Sequence, residues 1–236
     1  MVKITAILTG KKKSSFKNKN RLLIKSKPIF AYPAKAAKKC KKINNYYVSS
    51  DSNFILNYCN KIGYTKIKRP DNLCRKNSLH RDVLLHALKY IKKDFGLPDI
   101  IVVLLANAPI IKQEWISKCI NMLVRDKTIT SVVPVIKNND FNPLRAKKIK
   151  NNFLKNFLKT KKKISSNRQS LVGSYFLCHN FWIIRTEEIF KNEGDPPWNF
   201  MGKKTVPFII QNAIDIHNQI DYEIAKILVN DLKIKI

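Results

Sequence analysis

Behind the apolar run from Ile4 to Leu8, Thr9-Gly10 opens a stretch crowded with cations. Lys11, Lys12, Lys13, Lys17 and Lys19 follow, with the hydroxyls of Ser14 and Ser15 among them and Asn20 closing the series. A triphosphate needs several positive charges and many hydrogen-bond donors, and this loop supplies both. Far along the chain, Asp215 and His217 flank Ile216. Alternate residues of an extended segment face the same side, so carboxylate and imidazole point together. Asp221 is placed to cap the helix that follows. His179 and Asn180 form a polar pair inside the apolar stretch YFLCHNFWII. Burying either unpaired would cost about 1–3 kcal/mol, so both must be bonded to something. Ser78, His80 and Asp82 stand at a predicted helix start, where free N–H groups suit anion contacts.

The elements that must carry these residues alternate between strand and helix, as in a parallel sheet with crossover helices. Strands are predicted over Ile4 to Leu8, Asn45 to Ser49, Lys66 to Lys68, Asp99 to Leu105, Ser131 to Ile136, Tyr175 to Ile184 and, at an edge, Val206 to Ile210. Helices are predicted over Ile29 to Lys42, Ser52 to Ile62 with Gly63 as its cap, Leu79 to Lys93, Glu114 to Val124 and Asp221 to Leu228. DIIVVLL (99–105) is the most apolar strand and belongs at the centre. Pro134 puts its own strand near an edge or at a local bulge. At the carboxyl end of the central strand, Ala106-Asn107-Ala108-Pro109 should line the crevice where open α/β sheets bind ligands. From Lys137 to Ser174 the rhythm gives way to a polar, lysine-rich arm, and Pro196 to Gly202 reads as a loop anchored by Trp198 and Phe200.

The chain has 236 residues and a formal charge of +30, and its length suits one large α/β domain. Arginine supplies 8 of the 46 basic residues. Base readers favour the bidentate arginine fork, so a lysine excess spread among asparagines and isoleucines reads as background composition, not as a specific nucleic-acid surface. Such a field would also draw in a nucleoside triphosphate. No run of about 18 uncharged apolar residues occurs, so no membrane partner is expected. The basic residues follow the first apolar segment instead of preceding it, which argues against a signal peptide and for a cytoplasmic protein. Cys40, Cys59, Cys74, Cys119 and Cys178 are scattered without C-x-x-C spacing and read as reduced packing residues.

The order T-G, basic loop, K-N, then KPIFAYPAKAAK (27–38) and YYVSSD (46–51), resembles the acylneuraminate cytidylyltransferase family, the CMP-N-acetylneuraminate synthetase group. The likeness continues, in order, through Lys68-Arg69-Pro70, LLANAP (104–109), PLRAKK (143–148), Asn167-Arg168-Gln169, WNFMG (198–202) and Asp215-Ile216-His217. It implies a three-layer α/β/α, Rossmann-like (glycosyltransferase-A-like) nucleotidyltransferase fold with a mainly parallel sheet. It also implies a single domain over 1–236 with a dimerisation arm at about 137–174, and hence a homodimer. The implied reaction joins CTP to an acidic 2-keto-3-deoxy sugar of the sialic acid kind and releases pyrophosphate. Thr9, Gly10, Lys11, Lys19, Asn20, Ser78 and Asn107 would bind the nucleotide, Lys11 and Lys19 steadying the triphosphate. Asn107 offers the donor and acceptor that a cytosine edge requires, or it is simply a turn former.

By the same resemblance Arg145, Lys147 and Arg168 would hold the sugar carboxylate or the phosphates, unless they form a solvated basic face. His179 and Asn180 would line the sugar pocket, unless they are satisfied core polar groups. Asp215 would hold Mg2+. Where the wider family has a second carboxylate this chain has His217, a poorer ligand for a hard cation, so Asp215 is the principal one. The loop after Gly10 also departs from the family, carrying lysine and serine where glycines are usual, which restricts its backbone. Two other readings therefore stand beside catalysis: a degenerate relative that binds nucleotide without turnover, and a basic nucleic-acid-binding protein.

Overall fold

A computed structural model describes residues 2–13, 16, 19–160 and 163–234. Ser14, Ser15 and Lys17 of the opening loop lie outside the described residues. In chain order the elements are β1 (Ile4–Gly10), the small hairpin β2 (Leu23–Ile24) and β3 (Lys27–Pro28), α1 (Ala31–Lys38), β4 (Asn45–Ser50), α2 (Asn53–Lys61), β5 (Thr65–Lys68) and α3 (His80–Asp94). They continue with β6 (Ile100–Leu105), α4 (Gln113–Arg125), β7 (Ser131–Lys137), the arm hairpin β8 (Lys147–Lys150) and β9 (Phe153–Asn156), β10 (Tyr175–Leu177) and β11 (Phe181–Arg185). α5 (Thr186–Lys191), β12 (Thr205–Ile209) and α6 (Gln219–Asp231) complete the chain.

Eight strands form one sheet in which β1 pairs in parallel with β4 on one side and β6 on the other. β5 extends it beyond β4 in parallel, while β11 returns antiparallel against β6. β12 lies at the opposite edge, parallel to β7, as the edge prediction has it. Every residue of β1 and β6 is buried, which is why both read as unbroken apolar runs. Alternation splits β1 between two cores. Ile4, Ala6 and Leu8 meet α1, α2 and α4, whereas Ile7 faces α3 and the aromatic cluster around Trp182. A third apolar cluster joins α6 to the β2–β3 hairpin through Ile24, Ile29, Tyr32, Ile216 and Val229. The mainly parallel, helix-covered sheet is the three-layer α/β nucleotidyltransferase fold that the resemblance implies.

The structure corrects two spans. The predicted strand from Tyr175 to Ile184 is two strands, both paired with the same edge of β7. Leu177 stands opposite Val135 and Ile183 opposite Val132, so the ladder skips residues between them. The cause is Pro134, whose carbonyl accepts from Cys178 N–H at 2.8 Å but which has no N–H to return on that edge. The predicted helix from Ile29 to Lys42 is shorter, ending at Lys38 and closing with Cys40 N–H on Ala37 O. α5 has no counterpart in the sequence prediction.

Gly10 ends β1 where two neighbours converge. A Cβ there would lie 2.9 Å from both Ala106 Cβ and Ile55 Cδ1. Gly10→Ala should therefore destabilise the protein by about 1–3 kcal/mol, lowering its urea midpoint at unchanged slope. An unaltered midpoint would mean that the neighbours yield freely.

Candidate functional site

β1, β4 and β6 run in parallel, so Gly10, Ser50 and Leu105 all finish at the same edge of the sheet. The chain leaves β1 toward β4 and β5 on one side and later returns to place β6 on the other. Crevices form where the winding reverses in this way. Its floor is tied by Ala106 N–H to Thr9 O at 3.0 Å and by the Thr9 hydroxyl, which lies 3.3 Å from both Leu104 O and His80 Nε2.

Over this edge passes the segment linking β12 to α6. Ile216 N–H donates to Asn107 O at 3.1 Å, Lys19 Nζ donates to Ile216 O at 2.5 Å, and the Ile216 side chain is buried in the third cluster. The Asn107 amide donates to one oxygen of Asp215, and His217 Nε2 lies 3.0 Å from the other. Asp215 and His217 thus do face the same side. Asp221 closes a capping box with Asn218 at the start of α6. Burial pushes the Asp215 carboxyl above its ordinary value, opposed by His217, Lys19 and His179. Burial also pushes the Lys19 ammonium down, opposed by Asp215 and Asp221.

An aromatic cluster backs the site. The His80 ring lies 5.0 Å from Trp182, and His179 sits 5.7 Å from both Trp182 and Trp198. Burial lowers the His179 imidazole, with Asp215 raising it, so the ring lies within the field of that carboxylate. Asn180 turns the other way, its amide donating to Ile110 O at 3.1 Å and accepting from Phe181 N–H. The opening loop is fastened by Lys12 N–H to Asp51 Oδ1 at 2.6 Å, by Lys11 Nζ to Arg75 O at 3.0 Å, and by the Asn20 amide to Lys11 O. Beside it a cleft of about 480 Å³ is lined by Lys12, Asn20, Arg21, Asp51 and Lys68. Ser78 spends its hydroxyl on Asn72 O at 2.9 Å.

A family model described as Cytidylyltransferase matches residues 13–179. The chain belongs to the cytidylyltransferase family. Among solved structures, this cytidylyltransferase is similar to a CMP:2-keto-3-deoxy-manno-octonic acid synthetase complexed with CTP, at 12% identity and a TM-score of 0.70 over 98% of this chain and 99% of that one. It is similar also to 4-diphosphocytidyl-2C-methyl-D-erythritol synthase from Anaerococcus prevotii, at 14% identity and a TM-score of 0.66 over 97% and 99%. At such identities the likeness speaks for the fold. No curated protein matches in sequence.

The fold brings Thr9, Gly10, Lys19, Asn107, His179, Asp215 and His217 to one edge. The three basic residues of the arm gather elsewhere. Arg168 grips both oxygens of Asp140 at 2.6 and 2.8 Å, Arg145 stands 3.8 Å from the same carboxylate, and Lys147 donates to Asn156. Arg145 and Lys147 line a second cleft of about 570 Å³ with Asn156 and Ser165. Among the described residues no group of three or more His, Cys, Asp or Glu could hold a metal ion, and no helix is long and apolar enough to cross a membrane. Sequence reasoning did not single out Arg69, which is buried with its guanidinium on Ser49 O at 2.7 Å, nor the contact of His80 with Thr9. The signal for Arg69 was its place before Pro70 at a strand end.

His80 is held neutral. Enclosure, then the charges of Arg69, His179 and Lys11, push its imidazole from 6.5 down to about 3. Below the ordinary value the unfolded chain takes up a proton that the folded one refuses, so stability falls as pH drops from about 6.5 toward 3. His80→Gln should flatten the decline of Tm with falling pH across that window; parallel curves for both proteins would exclude His80 as a source.

Proposed function

We propose that this cytidylyltransferase transfers CMP from CTP to an acidic 2-keto-3-deoxy sugar of the sialic acid kind, releasing pyrophosphate, in the cytoplasm. The observation that carries the reading is the half-buried Asp215 carboxylate, fixed by Asn107 and His217 over the carboxyl edge of β1 and β6. The structural neighbour complexed with CTP, itself a synthetase acting on a keto-deoxy sugar acid, supports it. So do the motifs shared with the acylneuraminate enzymes. In the step, the anomeric hydroxyl oxygen bonds to the α-phosphorus of CTP and the bond from that phosphorus to the bridging oxygen breaks. The hydroxyl proton goes to solvent, and pyrophosphate leaves. Little covalent chemistry is asked of the protein, so its work is alignment and charge neutralisation.

Mg2+ usually binds through one or two carboxylates, substrate phosphates and water, and a half-buried aspartate with lone pairs left over meets that need. Asp215 would hold the ion, which would neutralise charge on the phosphates. His217, already on Asp215, would orient the carboxylate and add little as a ligand. Lys11 would steady the triphosphate, and Gly10 would let β1 close against Ala106 and Ile55 beneath it. Of the polar pair before β11, His179 would meet the sugar and Asn180 would hold the loop that presents it.

The arm would join two copies of the chain and carry Arg145, Lys147 and Arg168 toward the partner's sugar acid. What supports this is its hairpin, where Phe153 (66%), Leu154 (71%) and Ile149 (77%) are largely exposed. Side chains of that size are left uncovered at sites of association.

Pyrophosphate release is measured with CTP, Mg2+ and a panel of eight- and nine-carbon keto-deoxy acids, with ATP, GTP and UTP as controls. Release requiring CTP and one class of acid is the expected result; CTP binding without release would mark a degenerate site. Asp215→Ala should slow release by about 10²-fold or more, and full magnesium-dependent turnover in that variant would remove Asp215 from the metal. Phe153→Asp with Leu154→Asp should convert a dimer into a monomer in sedimentation, whereas an unshifted dimer would place the interface elsewhere.

A further inference from the structure

We propose that Asn107 and Lys19 are positioning residues that clamp the Asp215–His217 segment and set the aim of the Asp215 carboxylate, and that neither one's side chain reads the nucleotide. This rests on the reading of Asp215 given above. The segment lies between β12 and α6, outside any ladder, so its aim depends on a few individual attachments, one of them main chain to main chain. Ile216 is held by all three of its groups. Its N–H goes to Asn107 O at 3.1 Å, its carbonyl accepts from Lys19 Nζ at 2.5 Å, and its side chain is 0% exposed beside Ile24, Ile29 and Ile110.

Asn107 acts twice, since its amide also holds Asp215 Oδ1. Turning that amide to a base edge would release the carboxylate. Lys19 is buried, and moving its ammonium to a phosphate would strand the Ile216 carbonyl, a loss on the scale of any buried acceptor left unpaired. The two residues therefore tie the opening loop and the end of β6 to one point. Through that point the carboxylate is aimed.

The test uses the full chain with Asn107→Ala, Asn107→Leu, which keeps volume without the donor, and Lys19→Met, which keeps the stem without the charge. Calorimetry gives CTP affinity without metal, the CTP-to-UTP preference, and the Mg2+ concentration at which CTP binding tightens. The expected result is a Mg2+ requirement raised by about 10–100-fold, the usual effect of losing a group that orients a metal ligand, with metal-free CTP affinity and base preference unchanged. Weakened metal-free CTP binding or an altered base preference would overturn the proposal, because the residues would then be nucleotide contacts. Hydrogen exchange at the Ile216 amide, which sits on Asn107 O, is read in the same proteins without nucleotide, with the His217 amide, held by Asp221, as the internal control. Faster exchange at Ile216 in the variants supports the clamp, and unchanged exchange there overturns it. A wild type that binds no CTP would defeat the transfer reading alone, since the exchange measurement still decides the clamp.

Discussion

β1 has a parallel partner along both of its edges, and that single arrangement dictates most of what surrounds it. With hydrogen bonds spent laterally and both faces covered by helices, the strand is almost wholly apolar, and the one polar side chain near its start, Thr5, is buried with its hydroxyl unpaired. β6 carries no polar residue and β1 has Thr9 near its end, and because the two strands run the same way, their carboxyl ends coincide. Thr9-Gly10 and Ala106-Asn107 consequently face each other across the crevice. The approach is so close that only glycine fits beside Ala106 and Ile55 at position 10. The fold does not merely support the site; parallel pairing is what makes those loops neighbours.

Electrostatics then decides which charges can remain at that edge. In a chain with 46 basic and 16 acidic residues, cations are everywhere and carboxylates are scarce. Burial disfavours the charged form of Asp215, while His217, Lys19 and His179 favour it. Lys19 shows the converse balance, with Asp215 and Asp221 opposing its desolvation. Each partly offsets the other's desolvation, which remains the larger effect at both groups. The group of residues tuned in this way also sits where the sheet opens, and the lysines of the surface contribute only a diffuse attraction that salt would weaken.

Local pattern made much of the fold legible. Strands such as DIIVVLL and helices such as Leu79 to Lys93 declare themselves through period and length, and the carboxyl-edge crevice follows from the alternation. What the pattern could not convey were pairings over distance. A strand reading of YFLCHNFWII is locally correct, yet it breaks because Pro134, on another strand, has no N–H to offer. Lys19 looks like one more solvated lysine until Ile216, separated from it by 197 positions, supplies the carbonyl that buries it. Asn107 reads as a turn residue or a base reader because its contact, Asp215, lies 108 positions away. Short α5 escaped for a different reason, since Thr186 to Lys191 is too brief for periodicity to register.

In the proposed metal site the second place is taken by His217, not by the carboxylate that the resemblance implies, and this gives the long-range contacts their weight. Two carboxylates on alternate residues would trap a divalent ion between them and tolerate some error in either. An imidazole in the second place cannot share that burden with a hard cation, and here it lies 3.0 Å from the first carboxylate instead. A Mg2+ site of the proposed kind, resting on one oxygen donor, would have no redundancy, so a small rotation of Asp215 would remove its protein ligand altogether. Such a site should depend more on the groups that orient its carboxylate than a two-carboxylate site does. Asp215 is accordingly fastened on both oxygens, and its neighbour Ile216 on main chain and side chain alike.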